Sequence, residues 1–207
     1  MSEQHEAIWA ALPEGLEPEG YPLRRAFLLE HVDPGPPAPT VLDVGCGEGW
    51  FSEALREAGA DPVAVDVAAE ALRRAERRVP GLVTRLWAHD EPLPLDDNSV
   101  DVVWAGEVIE HVADIAPWLS ELRRVLKPRG TLLLTTPHVG RAALLGAALS
   151  KRRFAERFEP RSDHVHFLAP STLGPLLDDL GFDVAEMTLA GGRPLARETI
   201  LVRAVRA

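Results

Sequence analysis

Apolar residues along this chain fall into two alternating rhythms. Short runs of Val, Leu and Ala bounded by Gly, Pro or Asp read as strands at Val41–Val44, Pro62–Val67, Val83–Ala88, Val100–Ala105 and Thr131–Thr136. Between them, apolar positions recur at helical spacing over Trp50–Ala58, Ala68–Arg78, Val108–Val112, Ile115–Leu126 and Ser171–Leu180. The strand runs are apolar almost throughout, as expected of strands buried on both faces. Strands and helices in alternation predict an α/β fold whose mostly parallel sheet carries helices on both faces. The end of the chain departs from this rhythm. Phe182–Leu189 and Thr199–Val205 both read as strands, and the AGGRPLARE between them leaves no room for a helix. An antiparallel hairpin at one sheet edge follows, which brings the count to seven strands.

Residues 1–39 read as an N-terminal helical cap, with helices near His5–Leu12 and Leu23–His31 and a stiff connector, DPGPPAPT, into the first strand. Residues 40–207 carry the alternating elements, and the whole is expected to be a single folded domain. An insertion at 138–169 interrupts them. Its Leu144, Leu145, Leu149, Phe154 and Phe158 recur at roughly helical spacing, and Arg141, Lys151, Arg152, Arg153, Arg157 and Arg161 make it basic. It is either a solvated amphipathic helix or a lid over an acidic substrate.

Charge and composition narrow the partners. A formal net charge of −10 disfavours a broad nucleic-acid footprint and favours a small-molecule substrate. One cysteine, Cys46, excludes an internal disulfide framework and any multi-cysteine metal site. No apolar run approaches the ~20 residues of a membrane span. The acidic N-terminus lacks the basic and apolar regions of a signal peptide, so a cytoplasmic location is expected. The oligomeric state is not encoded in any pattern.

The chemistry is concentrated in TVLDVGCGEGWFS, Thr40 to Ser52. Its order is strand, glycine loop, helix, which brings backbone N–H groups against the polar end of a ligand. The glycines stand at 45, 47 and 49, with Asp43 two residues before the first. A dinucleotide fingerprint places its third glycine five positions after the first, and a carboxylate here would repel pyrophosphate. The arrangement suits a ligand that carries an ammonium group. Asp66 closes the second strand 21 residues after Gly45, where a carboxylate can accept both ribose hydroxyls of an adenosine. His89 and Asp90 follow the third strand, and Asp90 could accept a bond from an adenine amino group.

These stretches, with DEPLPLDDNSVDVVWAGEVIEHV, LRRVLKPRGTLLLTTP and HVHFLAPSTLGPLLDDLGF, resemble the class I S-adenosylmethionine-dependent methyltransferases. The likeness extends from about residue 24 to the C-terminus; Arg129 replaces a glycine of the family pattern. The resemblance implies a Rossmann-like seven-stranded sheet with S-adenosyl-L-methionine as cofactor and S-adenosyl-L-homocysteine as product. It implies that Gly45, Cys46 and Gly47 line the methionine part, with Asp43 facing its ammonium group. Asp66 would take the ribose and Val67 flank the adenine, with His89 and Asp90 beyond them and Glu107 near the methionine end.

The acceptor side rests on fewer residues. If their segment is helical, Glu107, Glu110 and His111 share one face at i, i+3 and i+4. His164 could join them as a fourth ligand to a divalent cation, Mg²⁺ or Mn²⁺ by the carboxylate content. This E-x-x-E-H resembles the ubiquinone-biosynthesis catechol O-methyltransferases and the small-RNA 3′-terminal 2′-O-methyltransferases, which implies a metal gripping adjacent oxygens of a diol. Otherwise His111 packs beside the cofactor, or acts with Glu110 and His164 in acid–base roles. His138 is a separate candidate for substrate contact, and His166 is not assigned to catalysis. The expected function is methyl transfer to a small molecule, at oxygen. Methylation of an RNA terminus and a non-catalytic cofactor-binding scaffold stay open beside it.

Overall fold

Burial on both faces is what turns the unbroken apolar runs at 41–44 and 102–105 into strands, whereas the run at 83–86 is an exposed edge of the same sheet. The computed structural model describes residues 2–88, 91–157, 164–192 and 198–207. Five strands, β1 (Thr40–Val44), β2 (Asp61–Asp66), β3 (Val83–Leu86), β4 (Val100–Gly106) and β5 (Leu126–Pro137), run parallel. β6 (Phe182–Ala190) and β7 (Thr199–Arg206) form the antiparallel hairpin, with β7 against β5. The sheet order is β3-β2-β1-β4-β5-β7-β6. This is the Rossmann-like seven-stranded sheet that the pattern and the resemblance imply.

Alternate residues of each strand serve different cores. Leu42, Val44, Val103, Leu132 and Leu134 pack with Trp118, Leu119 and Leu122 of α5 (Ile115–Val125) and Leu173 and Leu177 of α8 (Pro170–Asp179). Val41, Val102, Trp104 and Leu133 pack with Phe27 and Leu28 of α2 (Tyr21–Glu30) and Phe51 and Leu55 of α3 (Trp50–Glu57). A third cluster joins Cys46 and Ala64 to Leu72, Ala75 and Val79 along α4 (Ala69–Arg78). The remaining helices are α1 (Ser2–Ala11), α6 (Arg141–Ala148) and α7 (Lys151–Arg157).

The structure corrects the sequence reading in one place that matters. Residues 108–112 are not a helical turn continuing from Glu107. Only Ile109–His111 form a short 3₁₀ turn, and Glu107 precedes it in a left-handed conformation, φ 58°. Arg129, in the irregular first part of β5, also holds a left-handed φ, 63°, where the family pattern has glycine.

The topology fixes where a ligand belongs. The chain runs outward from β1 to β3 and returns to β4 on the other side of β1. Loops leaving β1 and β4 therefore diverge, and the crevice beyond their C-terminal ends is where open α/β sheets bind ligands.

Candidate functional site

The glycine loop is built for close approach. Gly45 has φ 66°, and a Cβ there would lie 2.7 Å from Val108 Cγ2, so glycine lets the β1 and β4 exits pass this closely before their loops diverge. The Gly45 and Cys46 N–H groups donate to the Val65 carbonyl at 2.8 and 3.1 Å. Asp66 is 7% exposed; its carboxylate accepts the Gly47 N–H at 3.0 Å and the Ala68 N–H at 2.9 Å. One side chain thus fixes both the glycine loop and the start of α4.

These walls enclose a cavity of about 240 Å³, lined by Gly45, Val65, Asp66, Val67 and Trp87 on one side and Glu107, Val108 and His111 on the other. Four of the residues singled out in the sequence for the cofactor, Gly45, Asp66, Val67 and Glu107, line it. Asp43 is aimed elsewhere: it accepts the Ser52 hydroxyl at 2.6 Å, which pins α3 to β1. Cys46 is buried, with Sγ 3.6 Å from the Gly47 carbonyl. Gly47 lies under the Trp9 indole rather than open to the cavity. His89 and Asp90 lie outside the described residues.

Acidic groups crowd this crevice, and burial sets their protonation. Asp43 is pushed up to about 7 by burial, more than the Ser52 hydroxyl lowers it, with the Asp66 charge adding to the rise. Burial also raises Asp66, against the two N–H groups that favour its charge, and it raises Glu107 against the nearby Arg24 guanidinium. The Cys46 thiol is driven well above its usual range by burial and both aspartates, so it is no nucleophile. A cation in the crevice would relieve this repulsion, whereas pyrophosphate would compound it.

The acceptor side lies at the exits of β4 and β5. Glu107 Oε1 accepts the Thr135 hydroxyl and Glu110 Oε2 the Thr136 hydroxyl, each at 2.9 Å. The Glu110 carbonyl accepts the Val165 and His166 N–H groups at 2.8 and 3.2 Å, which holds residues 164–166 against the 3₁₀ turn. As a result His164 meets His111, ring centroids 4.7 Å apart. Ligand atoms of Glu110, His111 and His164 lie within 4.8 Å of one another. Glu107 stands outside that group. The expected set, three residues of one helix face with His164 as a fourth, is reduced to three, because Glu107 sits before the turn and not on it.

Glu110 is the unusual member. It is 1% exposed, its Oε1 has no hydrogen-bond partner, and burial with the neighbouring Glu107 charge pushes it up to about 8. A buried carboxylate oxygen facing His111 Nε2 at 3.9 Å, with a second imidazole beside it, fits a cation's donor set. Arg24 of α2, buried over the Phe51 ring at 5.2 Å, counters the charge of both glutamates. His138 is tied by its N–H to the Glu198 carbonyl at 2.6 Å and keeps a buried Nδ1 without a partner; His166 Nε2 is likewise unpartnered. In the insertion, Leu145, Leu149 and Phe154 are exposed. The side chains at 141, 153 and 157, and residues 158–163, lie outside the described residues.

Three contributors escaped the sequence reading. Trp87 lines the cavity, its indole N–H donating to the Glu91 carbonyl at 2.8 Å. Glu48 turns out of the loop to Arg74 at 3.1 Å. His5, Ile8, Trp9 and Leu12 add a wall from the N-terminal segment. The strand-exit position of Trp87 was the one available signal; the other two depend on contacts between distant segments.

Comparison with known proteins agrees with this geometry. A family described as a methyltransferase domain matches residues 42–134. The ubiquinone biosynthesis O-methyltransferase of Methylococcus capsulatus is 33% identical over 180 residues, 84% of this chain and 75% of that protein. The 2-methyl-6-phytyl-1,4-hydroquinone methyltransferase of Synechocystis is 39% identical over 106 residues, 50% of this chain and 33% of its own length. Among solved structures, an S-adenosylmethionine-dependent methyltransferase from Mesorhizobium loti superposes with a TM-score of 0.69 at 21% identity, covering 90% of this chain and 97% of that one. That likeness speaks for the fold.

Proposed function

The chain belongs to the class I S-adenosylmethionine-dependent methyltransferase family, and on that premise we propose that it methylates an oxygen of a small aromatic diol held on a divalent cation. S-Adenosylmethionine, when bound, supplies an electrophilic sulfonium methyl for in-line displacement, so much of the protein's task is to position two reactants. Gly45, Asp66 and Val67 would hold the nucleoside half. Glu107, between the cavity and the β5 exit, would face the methionine end. No helix among the described residues is long and apolar enough to cross a membrane.

The observation that carries the acceptor assignment is the Glu110, His111 and His164 cluster, on the cavity side where His111 is itself a lining residue. A cation there would supply a Lewis acid that lowers the pKa of a bound hydroxyl. The chain's own residues do the rest. Thr136 orients Glu110 through Oε2 and leaves Oε1 toward the imidazoles, while the Glu110 carbonyl keeps His164 in place through the neighbouring N–H groups. One carboxylate with two imidazoles suits Mn²⁺ better than Mg²⁺, which prefers an all-oxygen shell. The relative named for O-methylation in ubiquinone biosynthesis supports transfer to an oxygen, and the one named for a 1,4-hydroquinone supports an aromatic acceptor.

The test combines chelation with substitution. EDTA-treated protein should lose activity on a catechol and regain it with Mn²⁺ more fully than with Mg²⁺. His111→Ala and His164→Ala should each cut turnover by about 10²-fold while S-adenosylhomocysteine affinity, by calorimetry, changes less than about threefold. Turnover indifferent to chelation would remove the cation. Equal losses in turnover and cofactor affinity would make the histidines packing residues.

A further inference from the structure

The N-terminal helix contributes a wall to the cavity, yet it is poorly anchored for a helix in that position. α1 lies against α4 and presents Ile8 and Trp9 to the cavity, joined by Leu12 just past its end. Ile8 and Leu12 nevertheless remain 38% and 37% exposed, so the apolar side of α1 and of the residue that follows it is incompletely covered by protein. The Trp9 ring lies over Gly47 so closely that a Cβ there would fall 2.9 Å from it.

Polar ties add to this ring contact in holding the helix down. Arg74 of α4, 7% exposed, donates from Nη2 to the Trp9 carbonyl at 2.8 Å and the Leu12 carbonyl at 3.0 Å. The first is a C-terminal carbonyl, which a helix leaves without a partner of its own, and the second lies one residue past the helix end. From Nη1 the same guanidinium donates to Glu48 Oε1 at 3.1 Å, and the other Glu48 oxygen accepts the Gly15 N–H at 2.7 Å. Glu48 belongs to the glycine loop. One ion pair therefore connects that loop to the end of α1 and to the chain that follows it. Toward its start, α1 is tied by the Glu6 carboxylate, which accepts the Glu70 N–H at 3.1 Å and Arg73 at 3.2 Å.

An element with half-exposed apolar side chains and polar ties opens at low free-energy cost. A ligand that fills the cavity against Ile8, Trp9 and Leu12 would complete its burial, and by linkage would stabilise the seated helix. We propose that α1 is a roof that seats on the bound cofactor, and that the Glu48–Arg74 pair latches it to the glycine loop. The inference rests on placing S-adenosylmethionine in this cavity. It makes Glu48 and Arg74 positioning residues: they hold the roof and do not touch the reacting groups. Release of product requires the roof to lift, so the latch sets the residence time of S-adenosylhomocysteine.

Hydrogen exchange with and without S-adenosylhomocysteine tests this on the intact chain. Amides of residues 8–12 should exchange readily in the free protein and at least about tenfold more slowly with ligand. In stopped-flow displacement, Arg74→Met and Glu48→Gln should release S-adenosylhomocysteine about tenfold faster while its association rate changes little. Ligand binding that leaves exchange at 8–12 unchanged would overturn the roof and leave the cofactor assignment standing. If both variants fold and release at the wild-type rate, the latch is overturned. If either variant fails to fold, the other one and the wild-type exchange decide. Failure of S-adenosylhomocysteine to bind the wild-type protein would overturn the cofactor site and the roof together.

Discussion

The two halves of the crevice differ in how their buried polar groups are satisfied. On the β1–β2 side, partners come from within the motif: Asp66 takes the Gly47 and Ala68 N–H groups, and Asp43 takes the Ser52 hydroxyl. On the β4–β5 side, Glu110 Oε1, His138 Nδ1 and His166 Nε2 are buried without a hydrogen-bond partner. Buried polar atoms cost free energy unless they are paired. The first half is a finished scaffold that a ligand joins, whereas the second retains donors and acceptors for a ligand to complete. Specificity for the acceptor is therefore expected to reside in the second half.

The largest effect should come from breaking the finished half. Asp66→Ala removes the acceptor of two buried backbone N–H groups, at an expected cost of about 2–4 kcal/mol in stability. It also removes the carboxylate proposed for the ribose, so S-adenosylhomocysteine affinity should fall at least about tenfold, or about 1.4 kcal/mol. Denaturant unfolding and calorimetry read the two separately. Lost stability with unchanged affinity would leave Asp66 a scaffold residue alone.

The same division explains what was legible in the chain. Motif partners lie close in sequence: Asp43 and Ser52 are 9 residues apart, and Asp66 and Ala68 are 2 apart. A strand, three glycines and a strand-end acid therefore announce the cofactor side, and unbroken apolar runs announce the sheet. Contacts that assemble the other parts join distant segments. Arg74 reaches Glu48 across 26 positions and Trp9 across 65, and no periodicity links such residues. The Glu107, Glu110 and His111 face failed for a different reason. It required a helix, and a left-handed φ at a non-glycine residue carries no sequence signature.

A smaller effect tests the electrostatics of the finished half. Asp43 holds its proton in the folded state up to about 7, against a usual carboxylate value of 3.8. The folded protein therefore binds more protons than the unfolded chain between these limits. The stabilisation is fully present below pH 3.8 and is lost as pH rises toward 7. Its size is on the order of 4 kcal/mol across that window. Asp43→Asn mimics the protonated form and keeps an acceptor for Ser52, so it should flatten this part of the stability profile and leave the variant the more stable protein near pH 8. An unchanged slope would mean that other carboxylates set it.

The smallest effect sharpens the unfinished half. Glu107 adopts φ 58°, a conformation that costs an L-residue about 1 kcal/mol and glycine almost nothing. Its side chain recovers part of that cost through the Thr135 hydroxyl at 2.9 Å. In Glu107→Gly the relief of strain and the lost hydrogen bond should nearly cancel, for a net change in stability within about 1 kcal/mol. Turnover should fall all the same, because the carboxylate lines the cavity between the cofactor loop and the Glu110 cluster. A strained side chain that stability does not require is retained for a ligand. Loss of more than about 2 kcal/mol with turnover intact would reverse that reading, and Glu107 would then belong with Asp43 and Asp66 among the groups that complete the scaffold.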